Sequence, residues 1–128
     1  MALKDSISIM VVDDMATSRS LIIMALEEMG IKKIDFRKDG AEALQSLVAN
    51  PVHLVISDYN MPGMDGLGLL KGLRENRVTA RIGFVLVSGR MTPEIMNAGK
   101  ALGMNNYIQK PFSTPQLKAC LQAVVGPL

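Results

Sequence analysis

The 128-residue sequence has little cysteine and few aromatic residues, and each shortage excludes a class of function. Its one cysteine, Cys120, cannot form an intrachain disulfide or build a cysteine-based metal site, which is typical of a reducing compartment. We therefore expect a cytoplasmic protein. Because tryptophan is absent and aromatic residues make up 4% of the chain, few rings are available to stack on nucleic-acid bases.

The sequence also lacks a concentrated charge and a long apolar segment. Lys and Arg total 14 and Asp and Glu total 12, with the basic residues scattered, whereas nucleic-acid-binding domains gather positive charge on one face. We expect no nucleic-acid partner. No stretch reaches the roughly 20 apolar residues of a membrane span, and the N-terminus has no secretory signal, so we expect no membrane partner. The length predicts a single domain over residues 1–128, without an attached output domain.

Five short apolar runs alternate with five helical patterns along the chain. The apolar runs predict strands at 7–12, 33–36, 53–57, 82–87 and 104–109, of which 33–36 has the weaker apolar pattern. Helical spacing and start signals predict helices at 15–29, 39–49, 65–75, 92–103 and 113–124. In the first of these helices, the predicted core-facing side consists of Leu21, Met24, Ala25 and Met29. Strands that alternate with helices predict an α/β fold, with a parallel sheet covered by helices on both faces.

Polar side chains follow four of the predicted strands. Asp13 and Asp14 follow the first strand and Asp58 follows the third, while Ser88 and Lys110 follow the fourth and fifth. Ligands of open parallel sheets bind at the carboxyl ends of the strands, so we expect these side chains to lie together. Neighbouring carboxylates repel one another, and a bound divalent cation removes the conflict. Oxygen ligands in a small site that also holds phosphate oxygens favour Mg²⁺.

A carboxylate in such a site can act as the nucleophile of phosphoryl transfer and form an aspartyl phosphate. Taken singly, these residues have simpler interpretations: Asp14 as a helix cap, Asp58 as a turn residue, and Lys110 as a solvated lysine. Their joint placement favours a site. A Ser-His-Asp hydrolase is not expected, because His53 begins the strand that Asp58 follows, roughly 16 Å away.

Three segments carry a family resemblance: Val11-Val12-Asp13-Asp14, the stretch VISDYNMPGMDG from Val55 to Gly66, and Lys110-Pro111-Phe112. With these in order, the chain resembles the response-regulator receiver family along nearly its whole length, and most of all the CheY-like chemotaxis regulators. The resemblance implies a flavodoxin-like, doubly wound five-stranded parallel sheet, in the strand order 2-1-3-4-5, with five helices. It also implies a cis peptide between Lys110 and Pro111.

The resemblance assigns roles at the site. It implies that Asp58 is the phosphoacceptor and also a metal ligand. Asp14 then binds Mg²⁺ directly, Asp13 holds a metal-bound water, and the backbone carbonyl of Asn60 is a further ligand. Lys110 pairs with the phosphoryl group.

The resemblance further implies a switch. Ser88 moves toward the phosphoryl group, and the ring of Tyr107 fills the space that it leaves. This repacks a partner face on the fourth helix, fifth strand and fifth helix. The residues of this face are Met91, Ile95, Met96, Tyr107 and Gln116.

The function implied is a stand-alone two-component response regulator rather than an enzyme, catalysing only its own phosphorylation and slow autodephosphorylation. The implied partners are a chemotaxis-type histidine kinase, a flagellar switch protein or another phospho-dependent partner, and a phosphatase. A phosphate sink or relay receiver is the alternative. A Mg²⁺-dependent phosphohydrolase is less favoured, because such enzymes carry an Asp-x-Asp pattern where this chain has adjacent aspartates. The Gly89-Arg90 pair departs from the CheY-like pattern, which leaves the partner open.

Overall fold

The computed structural model describes residues 2–128, which form one five-stranded parallel sheet flanked by six helices. The strands are β1 (Ser8–Val12), β2 (Lys33–Arg37), β3 (Leu54–Asp58), β4 (Gly83–Ser88) and β5 (Asn106–Gln109). The helices are α1 (Leu3–Ser6), α2 (Ala16–Glu28), α3 (Gly40–Ala49), α4 (Gly66–Glu75), α5 (Pro93–Ala101) and α6 (Thr114–Val125). The strand order β2-β1-β3-β4-β5 confirms the expected topology. Across residues 2–128, every helix is too short or too polar to traverse a lipid bilayer.

The central strands are apolar along nearly their whole length because helices cover the sheet on both faces. All five residues of β3 are buried, and so are all but the first residue of β1 and of β4. Successive side chains enter opposite cores, as strand geometry requires. Val11 belongs to the cluster beneath α2 and α6, whereas Val12 belongs to the cluster beneath α3 and α4. The edge strand β2 is mostly exposed, which explains its weaker apolar pattern.

Side-chain caps fix the starts of four helices, at the positions that the sequence predicts. The carboxylates of Asp39 and Asp65 accept hydrogen bonds from backbone N–H groups three residues on, at 2.7 and 2.8 Å. Thr92 caps α5 in the same way, and Ser113 forms a reciprocal capping box with Gln116 at the start of α6. These caps set where each strand-to-helix loop ends.

The structure corrects the predicted number of helices from five to six. The additional helix α1 is four residues long, too short for a hydrophobic period to reveal it in the sequence. Its Leu3 packs against the core cluster beneath α2 and α6, and Asp5 forms a 3.0 Å ion pair with Lys32. Tertiary packing therefore holds a turn that its own sequence does not specify.

The predicted core-facing side of α2 was wrong in part. Ala25 and Met29 are buried as expected, but Leu21 and Met24 are 61% and 55% exposed. The buried stripe is rotated, and it consists of Ile22, Ala25, Leu26 and Met29, at the i, i+3, i+4, i+7 spacing of a helix face. Leu21 and Met24 instead line a groove of about 520 Å³ between α2 and the segment from Lys110 to Thr114.

A glycine at the start of α4 lets this helix approach the end of β3 closely. A Cβ on Gly66 would lie 2.5 Å from the backbone oxygen of Asp58 and 2.8 Å from Cδ1 of Leu86. The Gly66 N–H also donates to the carbonyl of Tyr59 at 2.8 Å. At this position, therefore, only glycine fits without displacing the backbone of Asp58 or the side chain of Leu86.

We expect Gly66→Ala to lower the free energy of unfolding by about 1–3 kcal/mol, because the new methyl group overpacks against backbone. Urea denaturation measures this change. Gly89→Ala is the matched control, since a Cβ there meets nothing within 4 Å, and its effect should stay within about 0.5 kcal/mol. Equal stability of both variants would contradict the close approach.

Candidate functional site

Three carboxylates converge at the carboxyl edge of the sheet. β1 and β3 pair in parallel with Val12 beside Ser57, so the next residues, Asp13 and Asp58, are neighbours. One oxygen of each of Asp13, Asp14 and Asp58 lies within 4.8 Å of the others. The expected convergence of these side chains is confirmed.

Burial makes this convergence unfavourable for two of the carboxylates. Asp13 is fully buried and Asp58 is 6% exposed, while Asp14 is exposed. Burial raises the pKa of the Asp58 carboxyl above its ordinary value; the Lys110 ammonium opposes this rise in the pKa, and the Asp13 carboxylate adds to it. The site therefore contains more buried negative charge than its own lysine neutralises.

The donor set fits a hard divalent cation. Oδ1 of Asp13 accepts the N–H of Met15 at 3.0 Å, but among residues 2–128 no hydrogen-bond donor reaches its buried Oδ2. A buried carboxylate oxygen without a donor is costly, and a cation removes that cost. Carboxylate oxygens are ligands that Mg²⁺ prefers. Beside the carboxylates lies an open cavity of about 420 Å³, which Asp58, Asn60 and Lys110 help to line.

Lys110 faces the carboxylates and is not a solvated surface lysine. Its Nζ lies 3.3 Å from Oδ1 of Asp58 and 3.5 Å from Oδ2 of Asp13. A third contact, unforeseen from the sequence, is a 2.7 Å hydrogen bond from Nζ to Oγ of Ser18 on α2. The Lys110–Pro111 peptide is cis, as the resemblance implies.

Ser88 ends β4 beside the cavity, with its hydroxyl bonded within its own loop. Oγ donates to the backbone oxygen of Arg90 at 2.8 Å and accepts the Arg90 N–H at 3.2 Å. Arg90 is exposed and lines the same cavity as Asp58. The hydroxyl of Ser88 is thus near the site but bonded to the loop.

The predicted partner face is half-buried apart from one residue. Met91, Ile95 and Tyr107 pack against the core cluster beneath α3 and α4, and Met96 is also partly buried. Gln116 is exposed, and its side-chain oxygen accepts the N–H of Ser113 in the capping box. In the structure's numbering this surface is the α5–β5–α6 face.

The simpler interpretation of Asp14, as a helix cap, does not hold. Asp14 is not the cap of α2, because the N-cap residue is Met15, which makes no side-chain cap bond.

His53 lies before the start of β3, where its Nδ1 accepts the N–H of Ser8 at 2.9 Å. Cys120 is half-buried, its Sγ is 3.5 Å from the Tyr107 carbonyl oxygen, and burial raises the pKa of its thiol to about 11.

Arg19, which no sequence pattern singles out, anchors α2 to the site. Its Nη1 donates to the backbone oxygen of Asp13 at 2.9 Å, and its guanidinium lies 4.9 Å from the ring centroid of Phe36. The cation–π contact joins a residue of α2 to a residue of the edge strand β2, so no local sequence pattern predicts it.

Comparisons with known proteins agree with this geometry. Residues 9–122 match the family model described as the response regulator receiver domain. The chain is 38% identical over 128 residues to a Rhizobium etli protein named probable chemotaxis protein CheY, with 100% of this chain and 99% of that protein covered. It is 30% identical over 122 residues to chemotaxis protein CheY-3 of Vibrio cholerae, with 95% and 94% covered. The structure of V. cholerae chemotaxis protein CheY4 superposes with a TM-score of 0.85 at 29% identity, covering 92% of this chain and 98% of that one.

We expect Asp58→Asn to raise the free energy of unfolding at neutral pH without divalent cations. Folding raises the pKa of the Asp58 carboxyl, so the wild type loses stability as the pH rises from the unfolded-state pKa to the folded-state pKa. The amide of the variant does not ionise and therefore avoids this loss of stability. The gain should vanish below the unfolded-state pKa of about 3.9, where the wild-type carboxyl is protonated in both states.

Urea denaturation at both pH values checks this, with the exposed Asp35→Asn as control. Adding Mg²⁺ should stabilise the wild type, by about 2.7 kcal/mol at a hundred times its Kd, and stabilise Asp58→Asn much less. A pH-independent difference between wild type and Asp58→Asn would contradict the pKa argument.

Proposed function

Because the chain belongs to the response-regulator receiver family, we propose that it is a Mg²⁺-dependent phosphorylation switch whose acceptor is Asp58. The observation that supports this most is the carboxylate of Asp58, which is buried among Asp13, Asp14 and Lys110 and yet borders an open cavity. The cavity admits a phosphodonor to one carboxylate in particular.

In the proposed reaction, a carboxylate oxygen of Asp58 attacks the phosphorus of a phosphohistidine on the kinase. The new O–P bond forms as the P–N bond breaks, and the histidine nitrogen leaves with the electron pair. Lys110 stabilises the charge on the transferred phosphoryl group, because its ammonium already lies 3.3 Å from Asp58. Later attack by water on the phosphorus breaks the O–P bond to Asp58, releases inorganic phosphate and returns Asp58 to its free carboxylate.

The residues that would hold Mg²⁺ are Asp13, Asp14 and Asp58, together with the backbone carbonyl of Asn60. When bound, the cation supplies positive charge against the phosphoryl oxygens and the clustered carboxylates. Oδ2 of Asp13 supports this assignment, since among residues 2–128 this buried oxygen has no hydrogen-bond donor and only a 3.5 Å ion pair with Lys110. Asp14 is the exposed member of this set and borders solvent.

The proposed output is a rearrangement from Ser88 to the α5–β5–α6 face. The phosphoryl group offers strong acceptor oxygens, so the Ser88 hydroxyl can exchange its bond to Arg90 for one to phosphate. Tyr107, which packs in the same cluster as Met91 and Ile95, then moves into the space released. The affinity of a partner changes only to the extent that it prefers the new packing.

We further propose that the kinase is a chemotaxis-type histidine kinase and that the output partner is a flagellar switch protein. The names of the Rhizobium etli and Vibrio cholerae relatives, both chemotaxis proteins, support this. A phosphate sink remains the alternative role. A sink loses its phosphoryl group rapidly, without a gain in affinity for the switch protein on phosphorylation.

Asp58→Asn should abolish labelling by acetyl phosphate, because an amide cannot form the acyl phosphate. Intact-protein mass spectrometry measures the labelled fraction. Chelating Mg²⁺ should abolish the labelling of the wild type as well. Asp35→Asn, which removes an exposed carboxylate on β2, should label normally. Full labelling of Asp58→Asn would move the acceptor elsewhere.

Lys110→Ala should preserve the fold and Mg²⁺ binding but disconnect phosphorylation from the partner face. We expect beryllofluoride, a phosphoryl mimic, to shift the amide NMR signals of residues 91–109 in the wild type and to shift them far less in the variant. Lys71→Ala on α4 is the control, since its side chain is exposed. Unchanged shifts in Lys110→Ala would refute the coupling role of the ammonium.

A further inference from the structure

The ammonium of Lys110 makes its shortest contact to a neutral group. It has three hydrogens to donate and three neighbouring oxygens to receive them. Oγ of Ser18 lies at 2.7 Å, whereas Oδ1 of Asp58 and Oδ2 of Asp13 lie at 3.3 and 3.5 Å. Charge-assisted hydrogen bonds from an ammonium to a carboxylate normally measure about 2.7–2.9 Å. Lys110 therefore remains farther from both carboxylates than charge attraction alone predicts.

The position of Ser18 is fixed relative to the carboxylates. The first turn of α2 is bonded to Asp13 twice, through the Met15 N–H to Oδ1 at 3.0 Å and through Nη1 of Arg19 to the backbone oxygen at 2.9 Å. Ser18 immediately precedes Arg19 and is partly buried beside Lys110. The hydroxyl is thus an acceptor held at a set distance from Asp13.

We propose that Ser18 is a positioning residue for Lys110: its hydroxyl draws the ammonium toward α2, so that the carboxylates of Asp13 and Asp58 stay open to the divalent cation. The inference rests on the proposed function, in which those carboxylates bind Mg²⁺. Oδ2 of Asp13 supports it, because this buried oxygen keeps no hydrogen-bond donor within residues 2–128 although an ammonium lies 3.5 Å away.

Without the hydroxyl, the ammonium is free to close on Asp58 and Asp13 at ordinary charge-assisted distances. Mg²⁺ must then displace a tighter ion pair in order to bind. Since one hydrogen bond contributes about 0.5–1.5 kcal/mol net, we expect Ser18→Ala to weaken Mg²⁺ binding by about two- to tenfold.

Isothermal titration calorimetry of the full chain with MgCl₂ measures this effect directly. Ser18→Thr keeps a hydroxyl and should restore the affinity. Ser20→Ala is the matched control, being an exposed serine two positions along the same helix, and it should bind Mg²⁺ like the wild type. Thermal unfolding of each variant without Mg²⁺ verifies that the fold is intact.

The decisive comparison uses a variant that lacks the lysine. In a Lys110→Ala background, Ser18→Ala should cause no further change in Mg²⁺ affinity, because no ammonium remains to be positioned. An equal loss in both backgrounds, or wild-type affinity in the single variant, would overturn the proposal. Mg²⁺ binding is measured without phosphorylation. If the wild type binds Mg²⁺ but acetyl phosphate labels a residue other than Asp58, the proposed acceptor is refuted. The comparison of Mg²⁺ affinities between the variants can still be interpreted in that case.

Discussion

The parallel pairing of β1 with β3 places the buried carboxylates of Asp13 and Asp58 side by side, where they repel each other. Other groups at this end of the sheet reduce that repulsion. At 4 Å, two like charges near a protein surface repel by about 4 kcal/mol at an effective dielectric constant of 20. The chain answers with Lys110, from the end of β5, and with an acidic cluster suited to a divalent cation. The negative charge that destabilises this end of the fold is also the charge that a divalent cation would bind.

The helices determine which side of this site is accessible. α2 is bonded to Asp13 by its first turn, and α4 presses its first residue against the carbonyl of Asp58. The loop from Ser88 to Arg90 lines an open cavity together with Asp58. In the proposed function, a phosphodonor would therefore reach Asp58 through the cavity on the side of this loop.

Sequence patterns predicted most of the fold, because apolar runs, caps and strand-end residues are local signals. They could not predict α1, which exists through packing, or the buried face of α2, because Leu21 and Ile22 are equally apolar and only the neighbouring chain distinguishes them. Strand order and the roles of single residues came from family resemblance. The contact between Ser18 and Lys110 joins residues 92 positions apart, so no spacing rule reveals it.

The close packing of Gly66 has a mechanical consequence. The backbone at Asp58 is backed by Gly66, and its carbonyl also accepts the hydroxyl of Ser57 at 2.9 Å, so the backbone at Asp58 has little room to move. At Gly89 a side chain would meet nothing within 4 Å. One wall of the site is therefore closely packed and the other is open, so in the proposed function the loop that leads to α5 would adjust to a phosphoryl group on the carboxylate.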